Sequence, residues 1–306
     1  MKGLIKNTWQ KRALLCMALP GIILIIMFAY VPMFGVVIAF KKFDYSLGIW
    51  SSPWVGFDNF KFLFASASLT WRIIRNTMGY YLLFTTVGTI LNISLAIALH
   101  ECSKKRFAKI SQSLMILPTF ISWIAVTFIV TSLLDMRNGM LNHILAAFGR
   151  EGINWYVEAA YWPYILLLVN VWKFTGYGSI IYLSALAGMD QEVFEAADLD
   201  GATKFQQIRY ITLPMLTGMV CIMTLMSLGG IMASNTGLFF QVTRNVGALY
   251  PTTQTIDAYV MNALTSGTSN FGMTAAVTFF QSVIGCIMVV SVNLIVKKWE
   301  PEYSLF

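Results

Sequence analysis

EAADLDGATKFQQIRYITLP, residues 195–214, is the stretch on which the reading of this chain turns. It is a long polar segment set between two strongly apolar blocks, 165–186 and 213–233. Two short helices are expected, joined at Asp200-Gly201. Asp190 carries the short acceptor side chain of an N-cap, and Glu192 in the first turn suits the positive end of the helix dipole. Val193, Phe194, Ala196, Ala197 and Leu199 give that helix an apolar surface. Gly201 permits the positive φ of a sharp helix exit. Thr203 and Gln206 have capping-box spacing, so a second helix starts there. Phe205 and Ile208 fall on one face of it and are expected to bed it against the chain's own spans. Pro214 sits at the mouth of the next apolar run, where a missing N–H is cheap.

The flanks exclude a DNA-reading helix-turn-helix. Both blocks are long enough to cross a bilayer, so the segment is a loop tied to the membrane at its two ends. Connecting loops of this length without a task are uncommon. The composition agrees: of 306 residues, 57% are hydrophobic and 11% charged, against about 25% charged in a soluble domain. The net charge of +7 therefore bears on membrane orientation and not on nucleic acid. Cys16, Cys102, Cys221 and Cys286 lie in or beside apolar segments without metal-ligand or disulfide spacing and read as small core residues. His100 and His143 are isolated. No catalytic triad, metal cluster or GxxxxGK[ST] loop is present, so the chain reads as a non-enzyme that binds no nucleotide in the P-loop manner, no cofactor and no metal.

Six spans are expected, an all-α polytopic membrane protein: 13–40, 76–99, 110–134 (kinked at Pro118), 161–186, 213–234 and 271–296. The first run is too long for a signal-peptide core and lacks a small-x-small cleavage site. Between the spans lie an aromatic segment, 41–75, with a short surface helix over 57–63; a basic loop, 101–109; polar loops at 135–160 and 235–270; and the loop 187–214. Residues 1–12 and 297–306 form the two ends around a membrane domain, 13–296. The ends, loop 101–109 and the 195–214 side carry most of the chain's 21 Lys and Arg. The positive-inside rule thus puts both termini and the polar loop in the cytoplasm.

Polar groups inside a bilayer are costly and face a cavity or a partner. On the fourth span Asn170, Lys173, Phe174 and Tyr177 stand at i, i+3, i+4 and i+7, one helical face. An amide, a cation and two rings make a sugar-binding stripe. The alternative is that Lys173 snorkels or pairs with a neighbouring subunit and that Asn170 packs helix to helix.

Glu195-Ala196-Ala197, Gly201, Ile211, Leu213 and Pro214 match the pattern EAA-x3-G-x9-I-x-L-P at every defined position. In this the chain resembles the permeases of binding-protein-dependent ABC importers. Asn170-Val171-Trp172 with Tyr177 is similar to the larger maltose-type permease subunit, and the chain as a whole resembles the complex-polysaccharide, aldouronate-type branch. The resemblance implies a type I importer fold with a cytoplasmic coupling loop. It implies that Glu195, Ala196, Ala197, Asp200, Gly201, Leu213 and Pro214 serve coupling to an ATPase. It also implies that Asn170, Lys173, Phe174 and Tyr177, with Ser227, Ile231 and Ser234 of the fifth span, line the substrate path. Lys173, Phe174, Ile231 and Ser234 depart from the maltose pattern, and an in-membrane cation points to an acidic, uronate-containing oligosaccharide. The implied partners are a second, different permease subunit, two cytoplasmic ATPases that bind ATP and Mg, and an extracytoplasmic solute-binding protein of the lipoprotein kind, all at a bacterial plasma membrane. Other readings are a permease of the same superfamily for amino acids or metals, and a membrane scaffold or sensor that docks a soluble partner through the 195–214 loop.

Overall fold

The computed structural model describes residues 12–61, 66–266 and 271–299, which are helical almost throughout, with one isolated β-bridge among them. The N-terminal residues 1–11, residues 62 and 63 of the expected surface helix, and the tail from 300 lie outside the described residues. Two compact units divide the chain: 1–66 with 267–280, and 67–266 with 281–306.

The first unit holds helix α1, Arg12–Ile25, with Pro20 inside it. A π turn, Ile26–Tyr30, and a 3-10 stretch, Val31–Phe40, continue it. Together they give an apolar span, Cys16–Phe40. After it the chain folds back on itself. Lys41 Nζ donates to the carbonyls of Ile49 and Trp50 at 3.0 and 2.8 Å and lies 4.8 Å from the centre of the Trp54 ring. Asn59 Nδ2 donates to Ala39 O and Lys41 O, both at 2.9 Å. Phe40 packs against Phe57, Phe60 and Phe279, with ring centres 5.5, 5.5 and 5.6 Å away. Within its described residues, 57–61, the expected surface helix is a 3-10 turn, Asp58–Phe60, closed by a 2.8 Å ion pair between Asp58 and Lys61.

The second unit carries the bundle. Its helices are α2 Ala67–His100, α3 Lys105–Phe120, α4 Trp123–Leu134, α5 Met140–Ala147, α6 Trp162–Ala187, α7 Gln191–Leu199, α8 Lys204–Gln207, α9 Leu213–Leu228, α10 Tyr250–Thr253 and α11 Ile256–Thr265. The final helix, α12 Phe271–Trp299, runs through both units. Among the described residues, five helical stretches are long and apolar enough to cross a membrane, and a sixth crossing exists if α3 and α4 count as one span.

Four expectations change here. The third span is broken, not kinked: α3 and α4 meet at 97°. The break falls at Ile121-Ser122, both in extended backbone, and Ser122 Oγ caps α4 by accepting from Ala125 N. The fifth span stops at Leu228 instead of running to 234. The segment read as a long polar loop, 235–270, is largely folded into the core. A π turn, Gly237–Val242, buries Leu238, Phe239 and Val242 against Val126, Val130 and Leu134 of α4, with Tyr80, Trp162, Leu166 and Leu249. Loop 135–160 likewise contains α5. The buried Asn142 of α5 donates to the carbonyls of Asp135, Met136 and Ile153 and accepts from Ile153 N and Trp155 Nε1.

Candidate functional site

The polar loop has the local structure that its residues dictate. Asp190 Oδ1 accepts from Glu192 N at 3.0 Å and opens α7. Gly201, at φ +79°, ends the first arm. Thr203 and Gln206 form a complete capping box at the start of α8. From there the second arm runs without a break through a π turn, Ile208–Thr212, into the span α9. Leu213 N donates to Ile208 O five residues back, and Pro214, which follows, has no N–H to place.

What holds the two arms together is a polar clasp. Gln207, almost fully buried, donates from Nε2 to Asp198 Oδ1 at 2.5 Å and accepts from Lys204 Nζ at 2.8 Å. Lys204 Nζ lies 3.6 Å from the same Asp198 oxygen. Phe205, expected to bed α8 against the spans, is 69% exposed instead, and Ile208 is only half-buried. The capping box fixes the helix phase so that Gln207 turns inward and Phe205 outward. Leu199, Phe205 and Tyr210 are thus large, exposed groups on the loop, and Glu195, Ala196, Asp200, Leu213 and Pro214 are exposed as well. On its inner side, Phe194 shares a small hollow with Ile97, His100, Leu186, Met189 and Thr212. The C-terminal ends of α2 and α6 therefore both rest on the loop.

The stripe on α6 separates. Tyr177 is exposed, Asn170 and Phe174 are half-buried, and Lys173 is 3% exposed. Lys173 Nζ points into the break between α3 and α4. It donates to Pro118 O at 3.0 Å, Thr119 O at 3.1 Å and Ile121 O at 2.5 Å. They lie at the C-terminal end of α3, where Pro118 O also accepts from Ile121 N at 3.2 Å, and a cation suits the negative end of the helix dipole. An ammonium group has three N–H donors, and all three are used. The Trp123 ring covers the cation at 5.0 Å and Phe174 at 5.8 Å. In this structure the Lys173 cation is thus satisfied inside the chain, by backbone carbonyls and two rings. Thr119 Oγ1 returns a bond to Lys173 O at 2.7 Å. Next to it, Gly176 lets α6 touch the α3 backbone, since a Cβ there would lie 1.9 Å from Met115 O.

The fifth-span residues are not grouped with the stripe. Ser227 Oγ bonds Tyr81 Oη at 2.8 Å and donates to Thr224 O. Ile231 is buried. Ser234 is tied to Asp257, whose Oδ2 accepts from Ser234 N at 2.5 Å and Ser234 Oγ at 3.1 Å. Gln281 Nε2 donates to the other carboxylate oxygen at 3.1 Å and to Met232 O at 2.6 Å. This node fixes the chain where α9 ends.

Of the fifth-span candidates, Ser227 lines a cleft of about 230 Å3 between α2, α6 and α9. The other polar groups around it are Thr85, Thr89, Asn92, Tyr182 and Thr224, and Asn92 Oδ1 is buried there without a hydrogen-bond partner. The α2 contribution was missed in the sequence, although Tyr81, Thr85, Thr89 and Asn92 recur at helical spacing inside an otherwise apolar span.

Residues 88–301 match the family described as binding-protein-dependent transport system inner membrane component. The chain belongs to this family. Among its relatives, protein LplB of Bacillus subtilis (strain 168) is 33% identical over 304 residues, 99% of this chain and 92% of LplB. The polygalacturonan/rhamnogalacturonan transport system permease protein YteP of the same organism is 32% identical over 98% of this chain and 92% of its own. Among solved structures, a chain of a bacterial ABC transporter involved in the import of the acidic polysaccharide alginate superposes with a TM-score of 0.84. It is 29% identical, and the match covers 96% of this chain and 98% of that one. A second structure of a bacterial alginate ABC transporter, in complex with an alginate pentasaccharide-bound periplasmic protein, gives 0.83 at 28% identity, covering 96% of both chains. The permease is thus a membrane-embedded, non-enzymatic subunit of an ABC importer, with the helical importer fold.

Proposed function

We propose that the permease forms one of two membrane halves of an ATP-driven importer for an oligosaccharide, and that an acidic, uronate-containing chain is its cargo. The observation that carries the import reading is the loop itself: two capped arms, clasped by Asp198, Gln207 and Lys204, with exposed Glu195, Leu199 and Phe205. Such a loop is built to receive force from a soluble protein. Two cytoplasmic ATPases supply it, binding ATP and Mg, and Glu195 forms the ion pair with one of them. Support for an acidic cargo comes from the relatives named for polygalacturonan/rhamnogalacturonan and alginate, not from Lys173, whose charge is spent internally. A second, homologous permease subunit and an extracytoplasmic binding protein complete the assembly. Both termini and the loop face the cytoplasm, a placement supported by the distribution of Lys and Arg.

Uptake of labelled oligogalacturonate, and of a neutral oligosaccharide of equal length, is to be compared in cells with and without the gene. Loss of acidic uptake alone supports the full reading. Loss of neutral uptake alone overturns the acidic part, and unchanged uptake of both overturns the cargo class. Glu195→Ala should abolish uptake while the protein stays in the membrane at its normal level. Normal uptake by that variant removes Glu195 from coupling.

A further inference from the structure

We propose that Lys173 is the pin through which movement of the coupling loop reaches the broken third span. This rests on the import reading above and adds the route by which force travels in the chain. The helix α6 is one uninterrupted rod from Trp162 to Ala187, and the loop begins three residues beyond it. Lys173 sits 14 residues up that rod, about 21 Å from its loop end at 1.5 Å per residue. At that height the ammonium group holds three carbonyls of the 97° elbow. The attachment is two-way, because Thr119 Oγ1 bonds Lys173 O and the Gly176 backbone lies against Met115. A rod displaced at its foot cannot slide past α3 without breaking these bonds, so it carries the elbow with it.

The far side of the elbow leads on to the end of the fifth span. Trp123, the first residue of α4, covers the Lys173 cation and lies against Gly237, where a Cβ would lie 2.2 Å from the indole. Gly237 opens the buried π turn three residues after Ser234, which the Asp257 node holds in place. Loop, rod, pin, elbow and the chain around Ser234 are therefore one contiguous set of contacts. Packed contacts of this kind have few alternative arrangements and shift between them as units. The role also accounts for a fixed charge within the bilayer. A neutral side chain would leave Thr119 O and Ile121 O without this donor, and Pro118 O with Ile121 N alone, and the break freer to change its angle. Lys173 acts as a positioning residue, not as a group that touches cargo.

The experiment uses the assembled transporter, with its second permease subunit, ATPases and binding protein, in proteoliposomes. Lys173→Met and Lys173→Arg are compared with the parent for transport and ATP hydrolysis, with oligogalacturonate and a neutral oligosaccharide as cargo. Lys173→Met is expected to hydrolyse ATP within about twofold of the parent while cargo moved per ATP falls about tenfold, the scale of losing charged hydrogen bonds. The fall should be equal for both cargoes, and Lys173→Arg should recover part of it. A loss confined to acidic cargo overturns the proposal in favour of a charge-reading lysine. A parallel fall of hydrolysis and transport reduces Lys173 to a general stabiliser, and an unchanged ratio also overturns it. If Lys173→Met does not assemble, Lys173→Arg and Thr119→Val decide on the same ratio. If the parent moves neither cargo, the cargo reading fails and the ratio is measured with the sugar that the binding protein carries.

Discussion

Replacing Gly201 isolates the backbone torsion that sets the angle of the coupling loop. Its φ of +79° is one that L side chains rarely adopt, and a Cβ built there meets nothing within 4 Å. Steric crowding is therefore absent, and the cost of substitution is torsional alone. For a non-glycine residue held in the left-handed region that cost is about 1–2 kcal/mol, or a factor of about 5–30 in the population of the bent loop. Gly201→Ala should lie within this range and Gly201→Val above it, because β-branched side chains fit positive φ worst. Gly201→Asn, larger than alanine but tolerant of positive φ, should be the mildest of the three. The assay is cargo transported per ATP hydrolysed, with membrane abundance as control. An order Asn, Ala, Val from mild to severe supports the torsional account. An order following size, with Asn worse than Ala, refutes it and points to a surface pressed against a partner.

Gln207→Leu removes both hydrogen bonds of the clasp and should raise amide exchange over 191–212 by about tenfold, as expected for losing bonds to charged groups, with exchange in α2 unchanged. Asp257→Ala strands the Ser234 amide and one contact of Gln281. It should destabilise the purified protein by about 1–3 kcal/mol, read as a lower unfolding midpoint in detergent, with Asp257→Asn milder. Backbone amides of Asn138 and Arg137 hold the Asp135 carboxyl below its usual 3.8. A carboxyl whose folded pKa is depressed stabilises its turn above the unfolded value and loses that contribution as pH falls through the folded one. Protection of the Arg137 and Asn138 amides, corrected for intrinsic exchange, should therefore drop below about pH 4, and Asp135→Asn should abolish that drop.

Local signals with a short physical range were readable from residue order. Asp190, Gly201 and the Thr203–Gln206 pair predict the arms and their join, since caps and positive φ are decided within four residues. The inward turn of Gln207 was not readable, because its partner Asp198 lies across the join. The same limit explains Lys173. Helical spacing put it on one face with Asn170 and Tyr177, but which direction that face points depends on α3, more than fifty residues earlier. Pro118 signalled a disturbance in the third span, and the size of the bend became visible only with the cation that holds it open. The burial of 237–242 had a signal in the run Gly237-Leu238-Phe239-Phe240, which polar neighbours on both sides masked.

The length of α2 has a consequence for height. Its 34 residues make a rod of about 51 Å, while the hydrocarbon layer is about 30 Å thick. The end that rests on the coupling loop is fixed by its neighbours there, so the excess stands at the opposite face. That protruding part is polar, with Arg72, Arg75, Asn76 and Thr77, and it is braced. Arg72 donates to Gln254, Asn76 to the carbonyls of Pro251 and Gln254, and Thr77 accepts from Ile256 N. The result is a stiff post above the lipid, joined to α10 and α11. An apolar layer of that thickness cannot cover all of α2, so the braced segment at Arg72–Thr77 is held by protein contacts and does not depend on lipid for its position.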